Sequence, residues 1–263
     1  MSTTAGVTTE RSGEGIVQIR LDRPDRLNAL GVDMTDALLA AIAEASAGDA
    51  RVLMLRGSGR AFCAGADLKE RRTMDDAART RHNRAINAAC DALAAAPMPT
   101  IAVINGLALG GGCELAIACD LRYAAEDASI GLTEARIGAI PGAGGTQRLP
   151  RVIGAARALE LMLTGEPVTG KRAEAIGLVH GAIAADQLET HVMRIAAFVA
   201  SRSPNSLATI KRLVQRGIEM TLAEGLVLEG AAVREILASA DYAEGLAAFA
   251  DKRQPQFGKG KLA

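Results

Sequence analysis

The segment TIAVINGLALGGGCELAIACD (100–120) limits the fold more than any other part of the chain. TIAVI reads as a buried strand, and the glycines Gly110, Gly111 and Gly112 open a helix directly after it. Glycines at such a junction let backbone amides approach another group closely. A second apolar strand, RVLMLRG (51–57), is followed by the Gly/Ala-rich loop GSGRAFCAGAD and by an Ala-rich helix over 75–95, closed by Pro97 and Pro99. Upstream, Val17, Ile19 and Leu21 alternate with polar neighbours as a strand does, up to Arg23-Pro24. Met34, Leu38 and Ile42 then mark a helix face behind Asp33. This order of strands, helices and loop predicts an α/β domain with crossover connections.

Beyond about residue 186 the strand signals stop. DQLETHVMRIAAFVASR, PNSLATIKRLVQRGIEM, LAEGLVLEGAAVREILASA and DYAEGLAAFADKR all carry helical periodicity. The expected organisation is a core over residues 1–190 that holds the active site, and a helical region over 191–263. That region is too thin to bury its own apolar face, so it must pack on the core or on another subunit.

Composition removes several function classes. Lys and Arg total 30 and Asp and Glu total 30, so no net charge draws the chain to nucleic acid or to a membrane. There is no Trp, and aromatic residues make up 2%, which leaves little for stacking on bases. Cys63, Cys90, Cys113 and Cys119 lack metal-ligand spacing and read as buried reduced thiols. No run reaches the roughly 18 apolar residues of a membrane span. The polar N-terminus resembles neither a signal nor a transit peptide, so the expected location is cytoplasmic.

Two Gly-rich segments invite a phosphate-loop reading, and both fit it poorly. NGLALGGGCELA (105–116) departs from G-x-G-x-x-G, and PGAGGTQR (141–148) lacks the G-K-[ST] ending. Taken singly, these glycines need do no more than permit tight turns. Their carboxylates say more. Glu114 lies near the start of its helix among Cys113, Leu115, Ala116 and Ile117, and Glu134 follows another change from strand to helix in SIGLTEARIGAIPGAGG. If both enter one apolar pocket, desolvation and mutual repulsion raise at least one pKa, leaving an acid and a base near neutrality. The Gly-flanked FCAGAD (62–67) adds amides that could converge with those of residues 110–112 on one oxygen.

Read together, these segments resemble the enoyl-CoA hydratase/isomerase, or crotonase, family. The likeness runs in collinear order through LDRPDRLNAL (21–30), AFCAGADLKE (61–70), NGLALGGGCELAIACD (105–120), IGAIPGAGGTQRLPR (137–151) and TGEPVTGKRAEAIGLV (164–179). It implies a spiral of ββα units whose C-terminal helices build a homotrimer or a dimer of trimers. It also implies an oxyanion hole of Ala66 N and Gly111 N around the thioester carbonyl of an acyl-CoA. The two catalytic glutamates of true hydratases correspond to Glu114 and Glu134. Relatives that act as isomerases, hydrolases or dehalogenases keep the hole but lose one or both acids, so two acids imply reversible hydration of a 2-enoyl-CoA in fatty-acid or branched-chain acyl-CoA degradation. The resemblance places Arg26, Leu27, Ala64, Ala66 and Asp67 along coenzyme A, and Phe249 and Lys252 at its adenine end, within or across subunits. It implies no cofactor, coenzyme A being part of the substrate, and no metal; His82, His180 and His191 read as solvated or structural.

FCAGADLKER, ACDLR and GLTEARIG are closer to methylglutaconyl-CoA hydratase-like members than to the short-chain type, which makes Arg71, Arg72 and Arg136 candidates to pair with a substrate carboxylate. One such relative binds AU-rich RNA through a lysine-rich helix. The matching stretch here, MTDALLAAIAEASAGDAR (34–51), has no lysine and several acids, so little RNA affinity is expected. A non-enzymatic role is disfavoured by both glutamates and both glycine turns.

Overall fold

In the computed structural model, which describes residues 2–13 and 15–258, one move repeats: a strand enters a large sheet, a shorter strand enters a small sheet, and a helix follows. The chain begins with strands β1 (Ser2–Thr4), β2 (Val7–Arg11) and β3 (Ile16–Leu21), then helix α1 (Val32–Ala47). The first full unit is β4 (Val52–Gly57), β5 (Ala61–Cys63), the short α2 (Leu68–Arg71) and α3 (Asp76–Ala95). The second is β6 (Thr100–Ile104), β7 (Leu107–Leu109) and α4 (Gly111–Ala118). The third is β8 (Leu121–Ala125), β9 (Ser129–Gly131) and α5 (Gly145–Ile153), followed by α6 (Ala155–Thr164). Then come β10 (Val168–Thr169), α7 (Gly170–Ala175) and β11 (Gly181–Ile183).

The large sheet has the order β1-β2-β3-β4-β6-β8-β11 and the small one β10-β9-β7-β5. The paired runs β4, β6, β8 and β5, β7, β9 are parallel, so each unit lies one strand further along than the last. This is a spiral, and it accounts for the buried, unalternating apolar strands at 52–55 and 100–104.

The sequence reading missed the shortest strands. β5 lies inside the segment expected to be a loop, and β7 stands between the TIAVI strand and its helix. Three residues are too few for a periodicity signal. The polar N-terminus forms the β1–β2 hairpin, turned by Ala5 and Gly6 at φ 47° and 79°. Strand β1 is exposed at the sheet edge, so its residues never needed to be apolar.

Four helices follow, α8 (Leu188–Ala200), α9 (Pro204–Gly217), α10 (Leu222–Leu237) and α11 (Ala240–Ala250). Residues 259–263 of the expected C-terminal region lie outside the described residues. α8 lays Leu188, Val192, Ala196 and Ala200, spaced by four, on the large sheet. α9 is pinned to the core by Lys211, whose Nζ is 2.8 Å from Asp120 and donates to the Met98 carbonyl at 3.2 Å. α10 packs between α9 and α11 and leaves Leu222, Leu226 and Val227 exposed.

A tight contact between units is at Gly112, where an added Cβ would sit 2.1 Å from the Cys63 carbonyl oxygen. Gly112→Ala must therefore separate α4 from the end of β5. A drop of about 2 kcal/mol or more is expected, as for other overpacked core sites. Gly230→Ala, on α10 with nothing near its Cβ position, should instead change stability by less than about 1 kcal/mol, and in the favourable direction. Thermal denaturation of both variants checks this pair.

Candidate active site

Strands β5, β7 and β9 are parallel neighbours, so the segments leaving their C-terminal ends meet. Those segments carry Ala66, Gly111 and Glu134. Ligands gather at such strand ends in parallel sheets because the turns there open outward. Gly65, at φ 92°, lets the first turn touch the second: a Cβ on it would lie 2.8 Å from the Leu109 oxygen and 3.2 Å from Gly111 N. Gly110 turns the chain into α4 at φ 51° and ψ −123°, a combination that requires glycine, and its own N–H donates to Gly131 O at 2.9 Å. Neither Ala66 N nor Gly111 N donates to an acceptor among the described residues. Both border a cavity of about 100 Å³ that Glu114 and Glu134 also line.

The two carboxylates are held differently. Glu114 is buried, and one of its oxygens, Oε1, accepts from Ala143 N at 2.7 Å and Gly145 N at 2.9 Å. Gly145 is the first residue of α5. The second Gly-rich segment thus cradles an anion at a helix N-terminus, and that anion is the protein's own carboxylate, not a phosphate. Burial raises the Glu114 pKa, and the two N–H donors and the Arg148 and Arg71 charges oppose the rise. Glu134 is half-buried on the turn after β9, and its Oε2 is enclosed without a hydrogen-bond partner. Burial, aided by the Glu114 charge, pushes Glu134 up to about 7. Burial thus raises the proton affinity of both carboxylates, and the two amides and two arginine charges oppose it at Glu114.

A separate groove of about 280 Å³ is lined by Arg26, Leu27, Ala64, Ala66, Asp67 and Lys69. Leu27 and Asn28 are left-handed, at φ 53° and 55°. Asn28, fully buried, holds this turn by donating to Ser58 O and Ala61 O and accepting from Arg23 N. Ala64 N donates to Leu27 O at 3.0 Å, which joins the turn to the loop after β5. Asp67 caps α2 through Lys69 N and Glu70 N, and its other oxygen faces Arg23 and Arg26 at 3.8 and 4.0 Å. Those two contacts are ionic only, since that oxygen makes no hydrogen bond. Phe249 and Lys252 stand apart: neither lines the groove, and Phe249 is 87% exposed.

Sequence reasoning missed Asn28 and, although it named Arg71, did not join that residue to His82 and Asn83. The left-handed turn before Asn28 has no period to detect, and the three others come from two helices. His82 is buried; its Nδ1 accepts from Arg71 Nε at 3.2 Å, and burial and the Arg71 charge lower its pKa. All four cysteines are buried free thiols, and burial pushes Cys63 up to about 12. Among the described residues no group of His, Cys, Asp and Glu is arranged to hold a metal ion, and no helix is long and apolar enough to cross a membrane. Larger hollows beside Arg51 (about 610 Å³) and Arg212 (about 550 Å³) have no buried carboxylate in their walls, so size does not mark the site.

The chain is similar to known proteins over nearly its whole length. Residues 11–260 match the family model described as enoyl-CoA hydratase/isomerase. The chain is 43% identical over 250 residues to enoyl-CoA hydratase domain-containing protein 2, mitochondrial, of Bos taurus, covering 93% of this chain and 84% of that one. An enoyl-CoA hydratase structure from Bacillus anthracis superposes with a TM-score of 0.95 at 39% identity, covering 97% of this chain and all of that one. One from Mycobacterium smegmatis gives 0.91 at 29% identity, covering 96% and 98%.

Because Glu134 titrates near 7 in the folded chain and at the ordinary carboxylate value when unfolded, its contribution to stability is present at acid pH and is lost as pH rises through about 7. Glu134→Gln should therefore be more stable than the parent at pH 8, with a flatter stability profile between pH 4.5 and 7. Denaturant titrations across that range measure both effects.

Proposed function

Because the chain belongs to the enoyl-CoA hydratase/isomerase family, we propose that it catalyses the reversible syn addition of water to a 2-enoyl-CoA, giving a 3-hydroxyacyl-CoA. The observation that carries this reading is the pair of unlike carboxylates beside two uncommitted backbone N–H donors in one cavity. The thioester oxygen would rest on Ala66 N and Gly111 N, which polarise the conjugated double bond. Water held between the carboxylates gives one proton to Glu114 while its oxygen bonds to C3. Negative charge gathers on the thioester oxygen, and Glu134 delivers its proton to C2. Proton exchange with solvent resets the pair, and the reverse path is dehydration. Losing one such oxyanion donor commonly costs about 2.7–4 kcal/mol of transition-state stabilisation.

We place coenzyme A in the groove lined by Arg26, Leu27, Ala64, Ala66 and Asp67. Asp67 acts there by holding Arg23 and Arg26, since its own carboxylate is committed to the α2 cap. Phe249 and Lys252 lie away from the groove of their own chain, which favours a contribution across a subunit boundary in a homotrimer or dimer of trimers. The exposed apolar side chains of α10 and α11 supply a surface for that assembly.

Loss of the conjugated enoyl-thioester absorbance tests the chemistry, over crotonyl-, longer-chain, tiglyl- and methylglutaconyl-CoA. Glu114→Gln and Glu134→Gln should each lower kcat by about 10²- to 10⁴-fold. Turnover left intact in either variant, or no hydration of any substrate, would show the mechanism to be wrong. For the assembly, light scattering should give three or six times the chain mass, and Val227→Asp should lower it.

A further inference from the structure

We propose that Arg148 is a positioning residue for the base: it grips the turn before α5 from behind and keeps Ala143 N and Gly145 N aimed at Glu114 Oε1. This rests on the hydratase reading and adds a residue to that same site. Arg148, in the first turn of α5, reaches back over the turn that precedes its own helix. Its Nη1 donates to Ala143 O at 2.9 Å, and the N–H of that same alanine donates to Glu114 at 2.7 Å. The Arg148 backbone N–H donates to Gly144 O at 2.7 Å. One residue therefore holds two successive carbonyls of the turn whose amides hold the carboxylate. The fit is close: Gly144 is left-handed at φ 96°, and a Cβ on it would lie 2.0 Å from Arg148 Nη1.

The guanidinium is fixed on its other side by Asp91 of α3, 2.5 Å from Nη2. Asn83, also on α3, donates to Gly142 O at 3.0 Å. Side chains and backbone from α3 and α5 thus hold three consecutive carbonyls, those of Gly142, Ala143 and Gly144. Asn83 lines the cavity and Arg148 does not, so Arg148 acts through the turn. Its grip matters because Glu114 is buried: only aligned donors and nearby positive charge offset the penalty on the charged carboxylate. The other titratable groups in its field are Arg71, Glu134 and the thiols of Cys90 and Cys113, which burial keeps protonated. The competing role for Arg148 is that of a strut between α3 and α5. A strut affects stability and leaves the chemistry alone.

The test is the pH profile of hydration kinetics. Arg148→Met should lower kcat about 10-fold or more near neutrality while changing KM less than about twofold. It should also move the acid limb of kcat to higher pH, because a less supported Glu114 takes up its proton sooner as pH falls. Arg148→Lys, which keeps the charge and loses the fork, should restore part of both. Arg20→Met removes an ion pair of similar exposure (24% for Arg20, 23% for Arg148) outside the cavity lining, and should leave kcat and its pH profile unchanged. In Arg148→Met, a kcat and acid limb like the parent's, or a loss confined to KM, would overturn the proposal whatever the melting temperature does. Full recovery in Arg148→Lys would assign the effect to charge alone and overturn the grip; if Arg148→Met does not fold, this variant carries the test. If no enoyl-CoA is hydrated, the hydratase reading fails, and NMR titration of the Glu114 carboxyl signal, assigned by its absence from Glu114→Gln, decides the role of Arg148. A higher midpoint in Arg148→Met than in the parent supports the grip, and an unchanged one overturns it.

Discussion

The contact of backbone against backbone between the loop after β5 and the start of α4 governs the rest of the site. Gly65 and Gly112 leave no room for side chains there: their Cβ positions would lie 2.8 Å from the Leu109 oxygen and 2.1 Å from the Cys63 oxygen. Only that closeness lets Ala66 N and Gly111 N border one small space. Main-chain donors set in this way need no reorientation as charge develops, which is what makes them effective in a water-poor pocket. The spiral supplies the contact, because β5 and β7 are parallel neighbours and each ends in an outward turn.

The electrostatics follow from what each neighbouring element has left unpaired. α5 begins with free amides, and Glu114 fills them from the adjacent helix. On the turn after β9, Glu134 has its own backbone N–H in place of two neighbouring amides, and its second oxygen is enclosed and unbonded. Two chemically identical side chains thereby acquire different proton affinities, through hydrogen bonding on one side and desolvation on the other. Arg71 adds a positive charge that acts on both, steadied by His82 and Asn83 from α3.

Much of this was legible in the order of residues. The long helices at 76–95 and beyond 188, the apolar strands at 52–57 and 100–104, and the pairing of glycine turns with carboxylates all leave local signals. The three-residue strands β5 and β7 left none, although they place the two glycine turns side by side. PGAGGTQR reads along the chain as a poor phosphate loop or a tight turn, because nothing local reveals that the anion bound by its amides comes from a residue 29 to 31 positions earlier. Asn28, buried at the centre of a left-handed turn, was equally silent.

The sequence by itself determined the inventory: an α/β core, a helical end, two glycine-lined turns, and two glutamates in apolar settings. Periodicity, glycine and proline act over a few residues, so they can be read along the chain. Tertiary structure alone decided which groups meet. It set Ala143 N and Gly145 N on Glu114, left the second oxygen of Glu134 unbonded, turned Arg71 into the cavity, and kept Phe249 out of the groove lined by Arg26 and Leu27. Those outcomes depend on strand register and on close approach between distant segments, and neither is encoded within any one segment.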